Sequence, residues 1–268
     1  FLAITVNKVY GNLDAFDGVA ILLATVLFAF QIYGDFSGYS DIAKGSAKIM
    51  GVELMENFDS PYLATSPKAF WRRWHISLSR WFSDYVYIPL GGNRKGKLRQ
   101  CLNLLIVFLL SGLWHGANLK FIVWGAIHGL YLAIETLLPI KKKEPDTVYG
   151  KWIGRILTFL LVDFAWIFFR ANSLADAGVA ISKIFSSWDL ALSYRRGLFD
   201  VAFLVRLGMV LAVLPLCRYM PVVQLDPTKE RESGFAAAAM VFGIAVVALS
   251  WVLLYQSGGG SEFIYFQF

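Results

Sequence analysis

The sequence predicts an all-α protein: a multispanning bundle of membrane helices, with interfacial and re-entrant helices among the spans. Three observations carry that expectation. Hydrophobic residues make up 57% of the chain and charged residues only 16%, where a soluble domain holds roughly half and a quarter. The apolar residues gather in runs close to the ~20 that cross a bilayer. The net charge of +6 lies between those runs, as on the cytoplasmic face of a membrane protein. Nucleic acid is therefore not expected as a partner, and membrane lipid is.

The first span is expected over residues 16–33 (FDGVAILLATVLFAFQIY). The next stretch, DFSGYSDIAKGSAKIMG, mixes small residues, two aspartates and two lysines. It is too polar to face lipid, so it is read as re-entrant or covered by protein. Ser66-Pro67 then opens a helix, with Ser as N-cap and Pro at the first helical position. At 100° per residue, Phe70, Trp71, Trp74, Leu78, Trp81, Phe82 and Tyr85 share one face. Arg72, Arg73, Ser79, Arg80 and Ser83 share the other, with His75 on the border. That pattern describes a helix lying at the interface. PLGGNRKGK comes next as a basic turn.

Residues 102–113 and 119–138 are apolar again, interrupted by WHGAN. They read as a helical hairpin or a broken helix. Residues 152–169 form the next span, containing Asp163, and SLADAGVAISKIFSSWDL a short amphipathic helix. Residues 198–219 and 235–255 are the last two spans, separated by PVVQLDPTKERESG. The total is about six spans without an internal repeat, which argues against a transporter built from two similar halves. Simple alternation puts most Lys and Arg on the side holding residues 35–99, expected to be cytoplasmic. The chain opens at Phe1 in mid-pattern, so an N-terminal portion is expected to be absent. Cys101 and Cys217 lie in or beside apolar runs, without metal-type spacing, and read as packing residues.

Proton chemistry narrows to one stretch. His75, His115 and His128 are the only histidines in 268 residues, and all fall within residues 66–138. His115 sits at the break, flanked by Gly112 and Gly116, with Trp114 beside it. Ionisable groups inside a membrane mark functional sites by default, and imidazole suits general-base work near neutral pH. The competing reading is a histidine bonded to a neighbouring helix. His75 could be an interfacial polar residue only. His128 lies thirteen residues beyond His115, and packing or a helix–helix hydrogen bond suits it. Arg72, Arg73, Arg80, Arg94, Lys95, Lys97 and Arg99 could bind anionic headgroups or the phosphates of a thioester donor.

At these residues the sequence resembles the membrane-bound O-acyltransferase family, and within it the alginate O-acetyltransferase branch. The matching text is QIYGDFSGYSDIAKGSAKIMG, FWRRWHISLSRWFSDYVYIPLGGNRKG, SGLWHGANLKFIVWGAIHG and the terminal FIYFQF. PLGGNRKG favours polysaccharide acetylation over the related D-alanyl transfer branch. The resemblance implies a single membrane domain over residues 1–268, a C-terminal fragment of a longer bundle, with funnels from both faces meeting at the site. It implies His115 as the catalytic histidine and His75 as its second polar position, while His128 also fits the branch pattern. Trp114, Asn118, Arg72 and Arg73 become candidate substrate contacts. The implied reaction moves an acetyl group from a cytoplasmic thioester, acetyl-CoA, toward a secreted polysaccharide. Periplasmic or extracellular transfer proteins are expected as partners. No tightly bound cofactor and no metal are expected, and the location implied is the inner membrane, multi-pass. The alternatives are D-alanyl transfer to teichoic acid and a conduit subunit without chemistry of its own.

Overall fold

A computed structural model describes residues 2–138 and 147–189, together with Gly208. Its helices are α1 (Leu2–Tyr10), α2 (Gly18–Ile49), α3 (Pro67–Trp71), α4 (Ile76–Phe82), α5 (Lys97–His115), α6 (Leu119–Leu137), α7 (Val148–Arg170) and α8 (Leu174–Ser186). A π-helical turn, Ser83–Tyr87, extends α4. Among the described residues there is no strand. The spans expected over 198–219 and 235–255, the loop between them, Cys217, the KKKEPD stretch and the FIYFQF tail lie outside the described residues.

Among the described residues three helices, α2, α5 and α7, are long and apolar enough to cross a membrane by length and composition. Their outer faces fit that environment. Leu102, Leu110 and Leu113 of α5 and Ile153, Ile156, Leu157 and Leu160 of α7 are all exposed, a stripe that water would not tolerate and lipid would. The inner faces build an aromatic core. Phe28 of α2, Trp124 of α6, and Trp166 and Phe169 of α7 are all fully buried. Phe28 meets Trp166 edge-on at 6.1 Å, and Trp124 stacks on Trp166 at 6.0 Å. Such pairs add about 0.5–1.5 kcal/mol each beyond their buried area.

The hairpin α5–α6 holds the three histidine-bearing segments together, and glycine makes it close. A Cβ at Gly112 would stand 2.2 Å from the Phe121 carbonyl oxygen, and one at Gly125 2.1 Å from that of Phe108. The two backbones therefore touch, as small residues allow between membrane helices. The expected break at WHGAN is real. α5 ends at His115, Gly116 takes φ 156°, and Asn118 caps α6 by accepting from Lys120 N at 3.1 Å.

Two expectations are corrected. The stretch after Asp35 is not re-entrant: α2 runs unbroken for 32 residues to Ile49. Its small residues leave the far half of α2 open rather than bending it, with Gly38, Tyr39 and Ile42 all exposed. The helix opened by Ser66 does not lie flat as one amphipathic rod. Ser66 caps it as expected, accepting from Ala69 N at 3.2 Å, but it stops at Trp71. His75 then takes a left-handed conformation (φ 45°, ψ 54°), and α4 leaves in a new direction. Hydrogen bonds and packing trace a V along the hairpin. Ser66 and Lys68 are held by Glu135 near the end of α6, Trp71 by His128 midway, and His75 lies beside Trp114 at the α5–α6 joint. The chain then returns past Phe108 to Asn103, whose Nδ2 donates to the Gly92 carbonyl at 2.9 Å. Residues 66–92 thus fold as a V against the hairpin, with His75 at its apex.

Candidate active site

The apex of the V and the joint of the hairpin bring two histidines to one tryptophan. The Trp114 ring centroid lies 5.0 Å from that of His115 and 6.4 Å from that of His75. These imidazoles are forty positions apart in sequence, and neither shares an element with the other. Trp114 remains 57% exposed and Ala117 and Asn118 are exposed, while His115 is half-buried. On that side the corner is not covered by the described residues.

Aromatic edges and faces set the His115 ring. Trp124 meets it at 5.2 Å and Phe169 at 5.1 Å, both close to perpendicular. Phe169 is fixed in turn by Lys120, whose Nζ donates to the Ala171 carbonyl at 2.7 Å and the Phe169 carbonyl at 3.4 Å. That ammonium caps the C-terminus of α7, where the helix leaves carbonyls unpaired. The result is an imidazole packed against apolar rings on one side and beside the exposed Trp114 on the other.

His75 is held by polar contacts instead. Its Nδ1 lies 3.2 Å from Asn57 Oδ1. The same oxygen accepts from Ser77 N at 3.2 Å and Ser77 Oγ at 2.9 Å, while the Asn57 carbonyl accepts from Ile76 N at 3.0 Å. Asn57 therefore caps α4 from outside the helix, filling the role that the N-cap residue, His75, does not. A left-handed non-glycine residue costs on the order of 1–2 kcal/mol, and these bonds offset it. Phe36 of α2 closes the other side, edge-on at 4.6 Å.

His128 is a different kind of residue. It is wholly buried, and its Nδ1 accepts from the Trp71 indole N–H at 3.2 Å. Its Nε2 is enclosed without a partner among the described residues. It locks α3 to α6, matching the packing reading.

The remaining candidates separate. Arg72 is exposed and Arg73 half-buried, both on the turn leading into His75. Asn118 is exposed, with its carbonyl oxygen committed to the cap of α6. The basic turn at Arg94, Lys95, Lys97 and Arg99 is exposed but sits at the opposite end of α5 from His115. At 1.5 Å per residue that is roughly 27 Å away, too far for these cations to touch the joint. Sequence reasoning missed Asn57, Glu135 and Lys120. Glu135 had a usable signal, a lone carboxylate in an apolar run. Asn57 had none, since its partners come from a different element.

The described helices thus form a membrane-type bundle in which two imidazoles flank one exposed tryptophan. Residues 12–139 match the family model described as MBOAT, the membrane-bound O-acyltransferase family. The chain belongs to that family. It is 40% identical over 259 residues to a protein of Pseudomonas putida named "Probable alginate O-acetylase AlgI", covering 92% of this chain and 53% of that one. A protein of the same name from Pseudomonas syringae pv. tomato is 44% identical over 221 residues, covering 81% and 41%. A Helicobacter pylori protein named "Peptidoglycan O-acetyltransferase" is 43% identical over 155 residues, covering 58% and 29%. The chain thus spans about half or less of the length of these relatives.

Proposed function

We propose that this chain carries the reactive centre of a membrane O-acetyltransferase that moves an acetyl group from a cytoplasmic thioester toward the hydroxyl of an exported polysaccharide. One observation carries the reading: His115 and His75, supplied by separate elements, meet at the exposed Trp114. The relatives' names point the same way, two to alginate and one to peptidoglycan, which share a sugar hydroxyl as acceptor. Acetylation rather than D-alanyl transfer is the reading these names favour.

His115 acts as general base. The acceptor hydroxyl oxygen bonds to the thioester carbonyl carbon as its proton passes to the imidazole. The C–S bond then breaks, and the proton is returned to the leaving thiolate, so charge and protons balance. General-base help of this kind contributes about 10²–10⁴-fold. His75, neutral and fixed, orients the carbonyl end of the donor. Trp114 forms the floor on which the acyl group rests, and Arg72 and Arg73 stand where a donor phosphate would approach the apex. The donor is acetyl-CoA or a thioester like it, used as substrate, and the hydroxyl acetylated in this step belongs to a soluble transfer protein outside the membrane, which passes the acetyl group on to the polysaccharide. The site belongs to a single multi-pass domain of the inner membrane.

The test supplies labelled acetyl thioester to membranes holding the full-length protein. His115→Ala is expected to abolish label on the exported polymer with normal protein in the membrane. Full acetylation in that variant would leave only the conduit reading. His75→Ala is expected to impair transfer more than His128→Ala.

A further inference from the structure

We propose that Asn57 is a positioning residue that fixes the His75 ring as the tautomer protonated at Nδ1, leaving the Nε2 lone pair as its reactive face; this rests on the acetyl-transfer reading only for its effect on rate. The assignment comes from one donor whose hydrogen is not in doubt. The backbone N–H of Ser77 points at Asn57 Oδ1 at 3.2 Å. A backbone N–H can only donate, so this amide atom is the carbonyl oxygen and not the nitrogen, which removes the usual flip ambiguity. The Asn57 Nδ2 accordingly faces the Ser40 hydroxyl, at 3.3 Å. His75 Nδ1 then lies 3.2 Å from an atom that can only accept. A lone pair on Nδ1 would oppose a lone pair on oxygen, so Nδ1 carries the proton.

Ser77 does not reverse this. Its single hydroxyl proton has Asn57 Oδ1 at 2.9 Å and His75 Nδ1 at 3.4 Å, and the nearer acceptor takes it. Histidines commonly have their tautomer set by the partner of the second nitrogen. His128 shows the opposite case in the same fold: its Nδ1 accepts from Trp71, so its proton is on Nε2. The two differ in access as well. His128 has no accessible surface and His75 retains 9%. Of these two, only the apex histidine thus combines a fixed tautomer with some accessible surface. Asn57 reaches it from the segment between α2 and α3, and through Ile76 N and Ser77 N the same residue holds the left-handed backbone that creates the apex.

The experiment is ¹⁵N NMR of histidine-labelled full-length protein in lipid at about pH 8, where the ring is neutral, with His75 assigned by difference against His75→Gln. Wild type is expected to show Nδ1 protonated and Nε2 bare. Asn57→Asp keeps an acceptor for Nδ1 and for the α4 cap, so it should keep both the tautomer and most of the transfer rate. Asn57→Leu removes the acceptor. It should shift the proton between the nitrogens and cut single-turnover transfer on the order of 10²-fold. Wild type protonated at Nε2, or an unchanged tautomer in Asn57→Leu, would overturn the proposal. Loss of transfer in Asn57→Asp with the tautomer kept would likewise remove the positioning role. Should Asn57→Leu not reach the membrane, the wild-type and Asn57→Asp spectra still decide, since both must show the Nδ1 proton. A correct tautomer in a wild-type protein that transfers no acetyl would support the positioning and refute the acyltransfer reading instead.

Discussion

The contact that frames the site can be broken by one carbon atom. Gly125→Ala places a Cβ 2.1 Å from the Phe108 carbonyl oxygen and 2.9 Å from its carbon. Both are backbone atoms, so no side chain can swing aside. The separation must lengthen from 2.1 Å to the 3.4 Å at which ordinary contact begins, which means parting α5 from α6 along their whole crossing. Overpacking of a tight core costs about 1–3 kcal/mol, and a rigid backbone clash belongs at the upper end, about 3 kcal/mol. For a protein of this size each kcal/mol moves the unfolding midpoint by about 2–4 °C, so a fall of about 6–12 °C is expected in detergent. Transfer should fall too, because the neighbouring Trp124 packs on His115. Gly178→Ala is the control. It lies on the exposed face of α8 with nothing within 4 Å of the added Cβ, and loss of a helical glycine should stabilise by about 0.4–1 kcal/mol. A Gly125→Ala protein as stable as wild type would refute the backbone contact. Equal losses at both positions would mean that glycine content, not this crossing, sets the stability.

Two further outcomes are expected. Glu135→Ala removes the acceptor of Ser66 Oγ and Lys68 N, both at 2.9 Å. It should destabilise by about 1–2 kcal/mol through the lost cap of α3, read as a lower midpoint, with protease nicking appearing near residue 66. Trp71→Phe leaves His128 Nδ1 buried without its donor, at a cost of about 1–3 kcal/mol. Transfer per folded molecule should hardly change, which activity normalised to folded protein will check.

Much of the frame was legible from residue order. Ser66-Pro67 marks a helix start because a hydroxyl and a missing N–H suit the first turn, and the cap is found there. WHGAN marks the joint because Gly116 can take φ 156° and Asn118 can cap the start of α6. Residues 148–170 and 174–186 are helical as their periodicity suggests. The basic turn could also have been separated from His115 by counting the rise of α5. What could not be read is the V. It turns on His75 holding a left-handed conformation that its residue type does not favour, stabilised by Asn57 from another segment. Local pattern shows amphipathicity and cannot show that a distant amide will bend the chain. The continuous α2 misled for the related reason that small and polar residues weaken a lipid-facing reading without breaking a helix.

The convergence of His115 and His75 is tested most directly by a double-mutant cycle on single-turnover acetyl transfer in the full-length protein. The variants are His115→Ala, His75→Ala and both together. Groups that serve one step are strongly non-additive, so the double variant should be scarcely slower than His115→Ala alone. Losses that simply multiply would contradict the account, since they would make the two imidazoles independent despite the tryptophan they share.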